Sequence, residues 1–187
     1  MNFSGSKNTS EKKVNALISS WKVEKKNFIL LLPGRLTRWK GQEIFIESLN
    51  LLMEDYNNEN FHAVILGSDQ GRDVYSKKLL LLVERYRLGK KVTFIDNCKE
   101  MPLAFKIADL VVSSSIEPEA FGRVAVEAQA MSTPIVASDI GGSRETVLNG
   151  KTGLLYKYND PKELAKAINK IMKMNKQSLN LMGELGR

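Results

Sequence analysis

The stretch that decides the fold reads Leu110-Val111-Val112-Ser113-Ser114-Ser115-Ile116-Glu117-Pro118-Glu119-Ala120-Phe121-Gly122-Arg123-Val124-Ala125-Val126-Glu127-Ala128. An apolar run of strand length enters a short polar loop, and a helix-like run leaves it near Phe121-Gly122. Two acids mark the passage. Glu127 stands among Val124, Ala125, Val126, Ala128, Ala130 and Met131, surroundings that predict a helix buried nearly all round. A carboxylate there is costly unless something hydrogen-bonds it. Glu119 falls at the positive end of the same helix, where free backbone N–H groups can also receive an anion. The pattern points to a polar, phosphorylated ligand held at a strand-to-helix junction.

The same alternation runs through most of the chain. Strand-like runs occur at Phe28–Leu32, Phe61–Leu66, Val92–Ile95, Leu110–Ser113, Pro134–Ala137 and Gly153–Tyr156. Between them lie stretches with helical spacing: Ile44, Phe45, Ser48, Leu49 and Leu52; then Tyr75, Leu79, Leu82 and Tyr86; and last Leu164, Ala165, Ile168, Ile171 and Met172. Asp160-Pro161-Lys162-Glu163 is a helix start, with Asp at the N-cap and Pro at the first position. Continuous apolar strands alternating with helices mean a parallel α/β sheet of about six strands, covered on both faces. Ligands of such sheets bind at the carboxyl ends of the strands. Residues 1–26 are expected to form a polar segment with a short helix that Ser10 could cap, ahead of one domain over 27–176 and a tail over 177–187.

The chain has 187 residues, with 28 Lys and Arg against 21 acids for a net charge of +7. Twenty of the cations are Lys, spread along the sequence, which suits a solvated surface. With Cys98 the only cysteine there is no intrachain disulfide and no cysteine-based metal cluster, and a lone His62 gives little support to a metal site or a Ser–His–Asp triad. A cytoplasmic setting is expected, with peripheral contact at the inner face of a membrane left open. Nucleic-acid binding would rest on charge alone, without a motif or an aromatic platform.

The loops after the strands hold the candidate residues. Pro33-Gly34-Arg35-Leu36-Thr37-Arg38-Trp39-Lys40-Gly41 brings Arg35 and Lys40 to one strand end between glycines that let backbone approach a ligand. An Arg fork grips phosphate bidentately and Lys acts as a mobile point charge, although the same residues would suit a turn with surface cations. The loop is not a P-loop, and G-x-G-x-x-G is missing after the first strand, which disfavours a nicotinamide-dependent oxidoreductase. Gly67-Ser68-Asp69-Gln70-Gly71 reads more simply as a turn. Ile95-Asp96-Asn97 could face a planar base or be a generic turn. Gly141-Gly142, before a helical run, offers either exposed N–H groups or close packing.

With those residues in view, the chain resembles the C-terminal, donor-nucleotide-binding half of a GT-B glycosyltransferase, and more narrowly the retaining group 1 family. Gly34-Arg35 with Lys40-Gly41, Glu119 and Glu127 with the intervening Phe121-Gly122, Pro134–Asp139 leading to Gly141-Gly142 and Glu145, and Asn149–Leu155 follow that family's order. The resemblance implies a Rossmann-like domain that binds a UDP- or GDP-sugar. Arg35 and Lys40 would hold the diphosphate, and Glu119 with the backbone of Ala120, Phe121 and Gly122 would hold the sugar. Glu127 would take the ribose diol, and Ile95, Asp96 and Asn97 would border the base. Arg123 stands where the family often has an aliphatic residue, and would either add a cation or face solvent. The resemblance further implies transfer with retention to a hydroxyl of a glycan, lipid or cell-envelope polysaccharide, same-face attack with the leaving phosphate as base, and no metal or other cofactor. It also implies a separate N-terminal acceptor-binding domain, in this or a partner chain, with residues 1–26 a remnant of the interdomain linker. Two other readings remain at this stage: a non-catalytic nucleotide-sugar-binding subunit, and half of a sugar-nucleotide epimerase.

Overall fold

The computed structural model describes residues 4–24, 26–71 and 73–187, with side chains from Lys12 onward. Expectations for Met1–Phe3 lie outside it. Six strands form one sheet: β1 (Phe28–Pro33), β2 (Phe61–Leu66), β3 (Val92–Ile95), β4 (Leu110–Ser113), β5 (Ile135–Ser138) and β6 (Gly153–Tyr156). Their order is β3-β2-β1-β4-β5-β6, and every pairing is parallel. The chain winds outward from β1 in one direction and from β4 in the other, so β1 and β4 flank the switch point where crevices open in such sheets.

Helices cover both faces: α1 (Ser4–Ser20), α2 (Gln42–Glu54), α3 (Asp73–Arg85), α4 (Met101–Ile107), α5 (Arg123–Ala130), the short α6 (Ser143–Thr146), α7 (Pro161–Met172) and α8 (Lys176–Gly186). Alternation along each strand divides the core in two. Leu30, Leu32, Ala63, Ile65 and Val112 face α2, α3 and α7, packing on Phe45, Leu49, Leu79 and Ile168. Ile29, Leu31, Val64, Val111 and Ala137 face the other way, toward Trp21, Phe105, Ala125 and Ala128.

The predicted strands and the helix start at Asp160 are present, the Asp160 side chain accepting from the N–H groups of Lys162 and Glu163 at 3.1 and 3.2 Å. One strand is shifted: β5 begins at Ile135 rather than Pro134, because proline has no N–H to give a ladder. Ser10 lies inside α1 instead of at its start. The segment expected as a tail carries α8, whose Gly183 lies so close to the Ser132 carbonyl oxygen that a Cβ would come within 2.0 Å of it.

A further correction concerns α5. It was expected to be buried nearly all round, yet only Ala125, Ala128 and Gln129 are buried, while Arg123, Val126, Glu127 and Ala130 are exposed. Small apolar residues let one face sit tightly on the sheet without covering the other. Glu127 therefore bears no burial cost and looks outward.

Candidate active site

At the carboxyl ends of β1 and β4 lies a cavity of about 350 Å³, lined by residues that include Gly34, Arg35, Lys40, Glu119, Arg123 and Glu127. Two loops build it and are bolted together. After β1 the chain makes a tight turn at Arg38–Lys40 and enters α2 through Gly41, whose φ of 69° is left-handed. A Cβ on Gly41 would lie 1.8 Å from the Ser114 carbonyl oxygen, so only glycine lets the two loops meet. The Ser114 hydroxyl donates to the carbonyls of Lys40 and Gly41 at 3.0 Å each, and the Ile116 N–H donates to the Trp39 carbonyl at 2.8 Å. From beneath, the fully buried Gln42 donates to the Arg35 carbonyl at 2.8 Å and receives the Tyr75 hydroxyl at 3.3 Å. Burial and the nearby Glu43 push the Tyr75 hydroxyl's pKa far up, so it stays protonated and keeps donating.

This frame joins residues far apart in the chain. Lys40 Nζ meets Glu119 Oε1 at 2.8 Å, with side chains only 13% and 16% exposed. The Ser115 hydroxyl donates to the same oxygen. Lys40 also lies over the Trp39 ring, 4.3 Å from its centroid, which favours the ammonium electrostatically. Arg35 and Arg123 differ: among the described residues neither guanidinium has an ion-pair or hydrogen-bond partner. Gly122, with a left-handed φ of 63°, begins α5 without a side-chain cap. The Ala125 N–H donates to the Gly122 carbonyl at 2.9 Å, while among the described residues the N–H groups of Arg123 and Val124 have no internal acceptor.

The Glu119 loop is held from behind by Gly141-Gly142. The Gly142 N–H donates to the Glu119 carbonyl at 2.8 Å, and a Cβ on Gly142 would lie 2.6 Å from the Phe121 carbonyl carbon. Close packing is therefore the role of this pair. It acts on the site loop rather than on the sheet, and the Gly142 N–H is already engaged.

The structure gathers Gly34, Arg35, Lys40, Glu119, Arg123 and Glu127 around one cavity. It leaves Ala120 and the Phe121 side chain exposed. Ile95 and Asn97 face a different cavity, of about 510 Å³, together with Leu17 and Trp21 of the α1 region and Cys98; Asp96 is exposed. Met101, at the start of α4, stands on the wall of the first cavity. Sequence reasoning missed Trp39, Ser114, Ser115, Gln42 and Met101. The pair Ser114-Ser115 directly after a strand was the available signal, since hydroxyls there can fasten a loop.

Comparison with known proteins gives the chain's family and fold. The family described as glycosyl transferases group 1 matches residues 14–186. The D-inositol 3-phosphate glycosyltransferase of Corynebacterium urealyticum is 34% identical over 149 residues, which cover 78% of this chain and 35% of that one. Among solved structures, a glycosyltransferase from Rickettsia africae superposes with a TM-score of 0.88 at 28% identity, over 94% of this chain and 45% of that one. Anabaena HepE, solved in complex with UDP-glucose, superposes with a TM-score of 0.85 at 30% identity, over 94% and 46%. The chain thus spans about a third of its curated relative and just under half of the two solved chains.

Proposed function

This chain belongs to the group 1 glycosyltransferase family, and from that membership we propose that the β1/β4 cavity is the donor site for transfer of a sugar from a UDP- or GDP-sugar to a hydroxyl acceptor. The fold is that of one half of a GT-B enzyme. The observation that carries the reading is the convergence of Arg35, Lys40, Glu119 and Glu127 on one cavity at the switch point. The UDP-glucose bound by HepE supports a nucleotide sugar as the ligand class.

Arg35 and Lys40 take the diphosphate. As the sugar–phosphate bond breaks, negative charge grows on the departing nucleotide, and fixed cations with the N-terminus of α5 stabilise it without reorganising. These groups take the part that a metal ion would otherwise play. Glu127, exposed on the outer face of α5, accepts the ribose diol, and the base extends out of this cavity toward the neighbouring one, where Ile95, Asp96 and Asn97 border it. Glu119 orients the sugar hydroxyls. Its Oε1 already receives both Lys40 and Ser115, which stabilises the carboxylate and weakens it as a nucleophile. That favours same-face attack with retention, the leaving phosphate acting as base, over a covalent sugar–enzyme intermediate. The acceptor, a hydroxyl of a glycan, lipid or envelope polysaccharide, approaches the open mouth of the cavity from a further domain in the same or a partner chain.

Calorimetric titration tests this. UDP or GDP binds the wild-type chain, and Arg35→Ala or Lys40→Ala costs about 1.5–3 kcal/mol, the range for hydrogen bonds to charged groups. Equal affinity in wild type and both variants would remove the proposal.

A further inference from the structure

We propose that Arg123 is a third cation for the donor's diphosphate, the one that lets the Lys40–Glu119 pair survive ligand binding; the inference rests on the donor-site reading above. Position comes first. Arg123 and Glu127 are four residues apart on α5, so they share its outer face about 6 Å apart along the axis. Glu119 lies beyond the N-terminal end of that helix. Ribose acid, Arg123 and sugar acid thus follow one another in the order of a nucleotide sugar's own parts: ribose, diphosphate, sugar. Helical side chains lean toward the N-terminus, which carries the guanidinium away from Glu127 and toward the middle of that path.

Charge points the same way. The cavity holds three cations, Arg35, Lys40 and Arg123, against two acids, Glu119 and Glu127. Lys40 is neutralised in place by Glu119 at 2.8 Å. A nucleotide sugar brings about two negative charges, one per diphosphate phosphate. With Arg35 the one cation beside them free of an acid, the second charge would fall chiefly on Lys40, whose ammonium is already shared with Glu119, and would pull against that largely covered pair. Arg123 supplies the second unpaired cation. Its setting is otherwise unfavourable, because a cation in the first turn of a helix opposes the helix dipole and among the described residues no acid closes an ion pair with it. An anion beside it reverses that penalty.

Titrations of the full chain with uridine, UMP and UDP read the effect. Arg123→Ala lowers UDP affinity by about tenfold, the scale of one charge-assisted contact. It lowers UMP affinity less and leaves uridine unchanged, while Arg123→Lys recovers part of the loss as a point charge without the fork. The salt dependence of UDP binding also becomes shallower in Arg123→Ala. Unchanged UDP affinity in Arg123→Ala overturns the inference, and so does an equal loss for uridine. Arg35→Ala in the same series tells the two ideas apart: if it weakens UDP while Arg123→Ala does not, only the third cation is lost. If neither variant weakens UDP, the donor-site reading falls with it.

Discussion

Where β1 and β4 end, the chain leaves charged side chains facing a cavity; along the connection from β5 to β6 it pairs its polar groups with one another. Both regions are glycine-bearing. At the first, Gly41 brings two loops together, and Arg35, Arg123 and Glu127 remain open beside the Lys40–Glu119 pair. At the second, Arg144 is held by Asp139 through Nε at 2.8 Å and through the backbone carbonyl at 3.0 Å. Thr152 accepts from Gln129 and from the Leu148 N–H, both at 3.0 Å. Asn149 caps the Leu155 N–H at 3.0 Å, and a Cβ on Gly153 would fall 2.3 Å from the Ile135 carbonyl oxygen. Glycine at either edge marks a close approach of backbones. What separates a ligand site from a structural corner is charge left without an internal partner.

The largest effects should come from the glycines and should appear in stability at both edges alike. Gly41→Ala puts a Cβ 1.8 Å from a carbonyl oxygen at a left-handed φ, and Gly142→Ala puts one 2.6 Å from backbone carbon. Each should cost about 4 kcal/mol or more in urea unfolding, at the upper end for single substitutions. Gly150→Ala is the control: its φ of +80° is also left-handed, but nothing lies within 4 Å, so about 1–2 kcal/mol of backbone strain is all it should show. Equal losses in Gly41→Ala and Gly150→Ala would mean that loop contact at the site contributes nothing.

Smaller, and confined to the β5–β6 connection, is the loss in Gln129→Ala. Its amide, in a side chain only 8% exposed, donates to the Thr146 carbonyl at 2.8 Å and to Thr152. About 1–3 kcal/mol of stability should go, the cost of buried partners left unmet, with UDP affinity intact in titration. A change in UDP affinity would break the separation of the two edges. Smallest in free energy but opposite in sign is Glu119→Gln. It frees Lys40 and removes a negative charge from the cavity, so UDP should bind severalfold more tightly in titration. Weaker UDP binding in this variant would show that Glu119 serves the diphosphate by positioning Lys40 rather than by competing for it.

Much of this molecule could be read from its chain. Apolar runs of strand length alternating with helical spacing require a covered parallel sheet, because both faces of each strand must leave water. Asp160 before Pro161 fixes a helix start through local hydrogen bonds alone, and the cations and acids of the site were visible as charge after a strand. These are properties of near neighbours, and sequence carries them directly. The tertiary structure decided the rest. Lys40 and Glu119 are 79 residues apart and meet only because the strand order sets β1 against β4, a pairing no local pattern encodes. The burial expected around Glu127 failed for a related reason: alanine and valine report a capacity for burial, while exposure depends on which element lies across from them. Gly141-Gly142 likewise could be seen as glycine but not as the support behind Glu119, since a close approach belongs to two backbones and the sequence writes only one of them at a time.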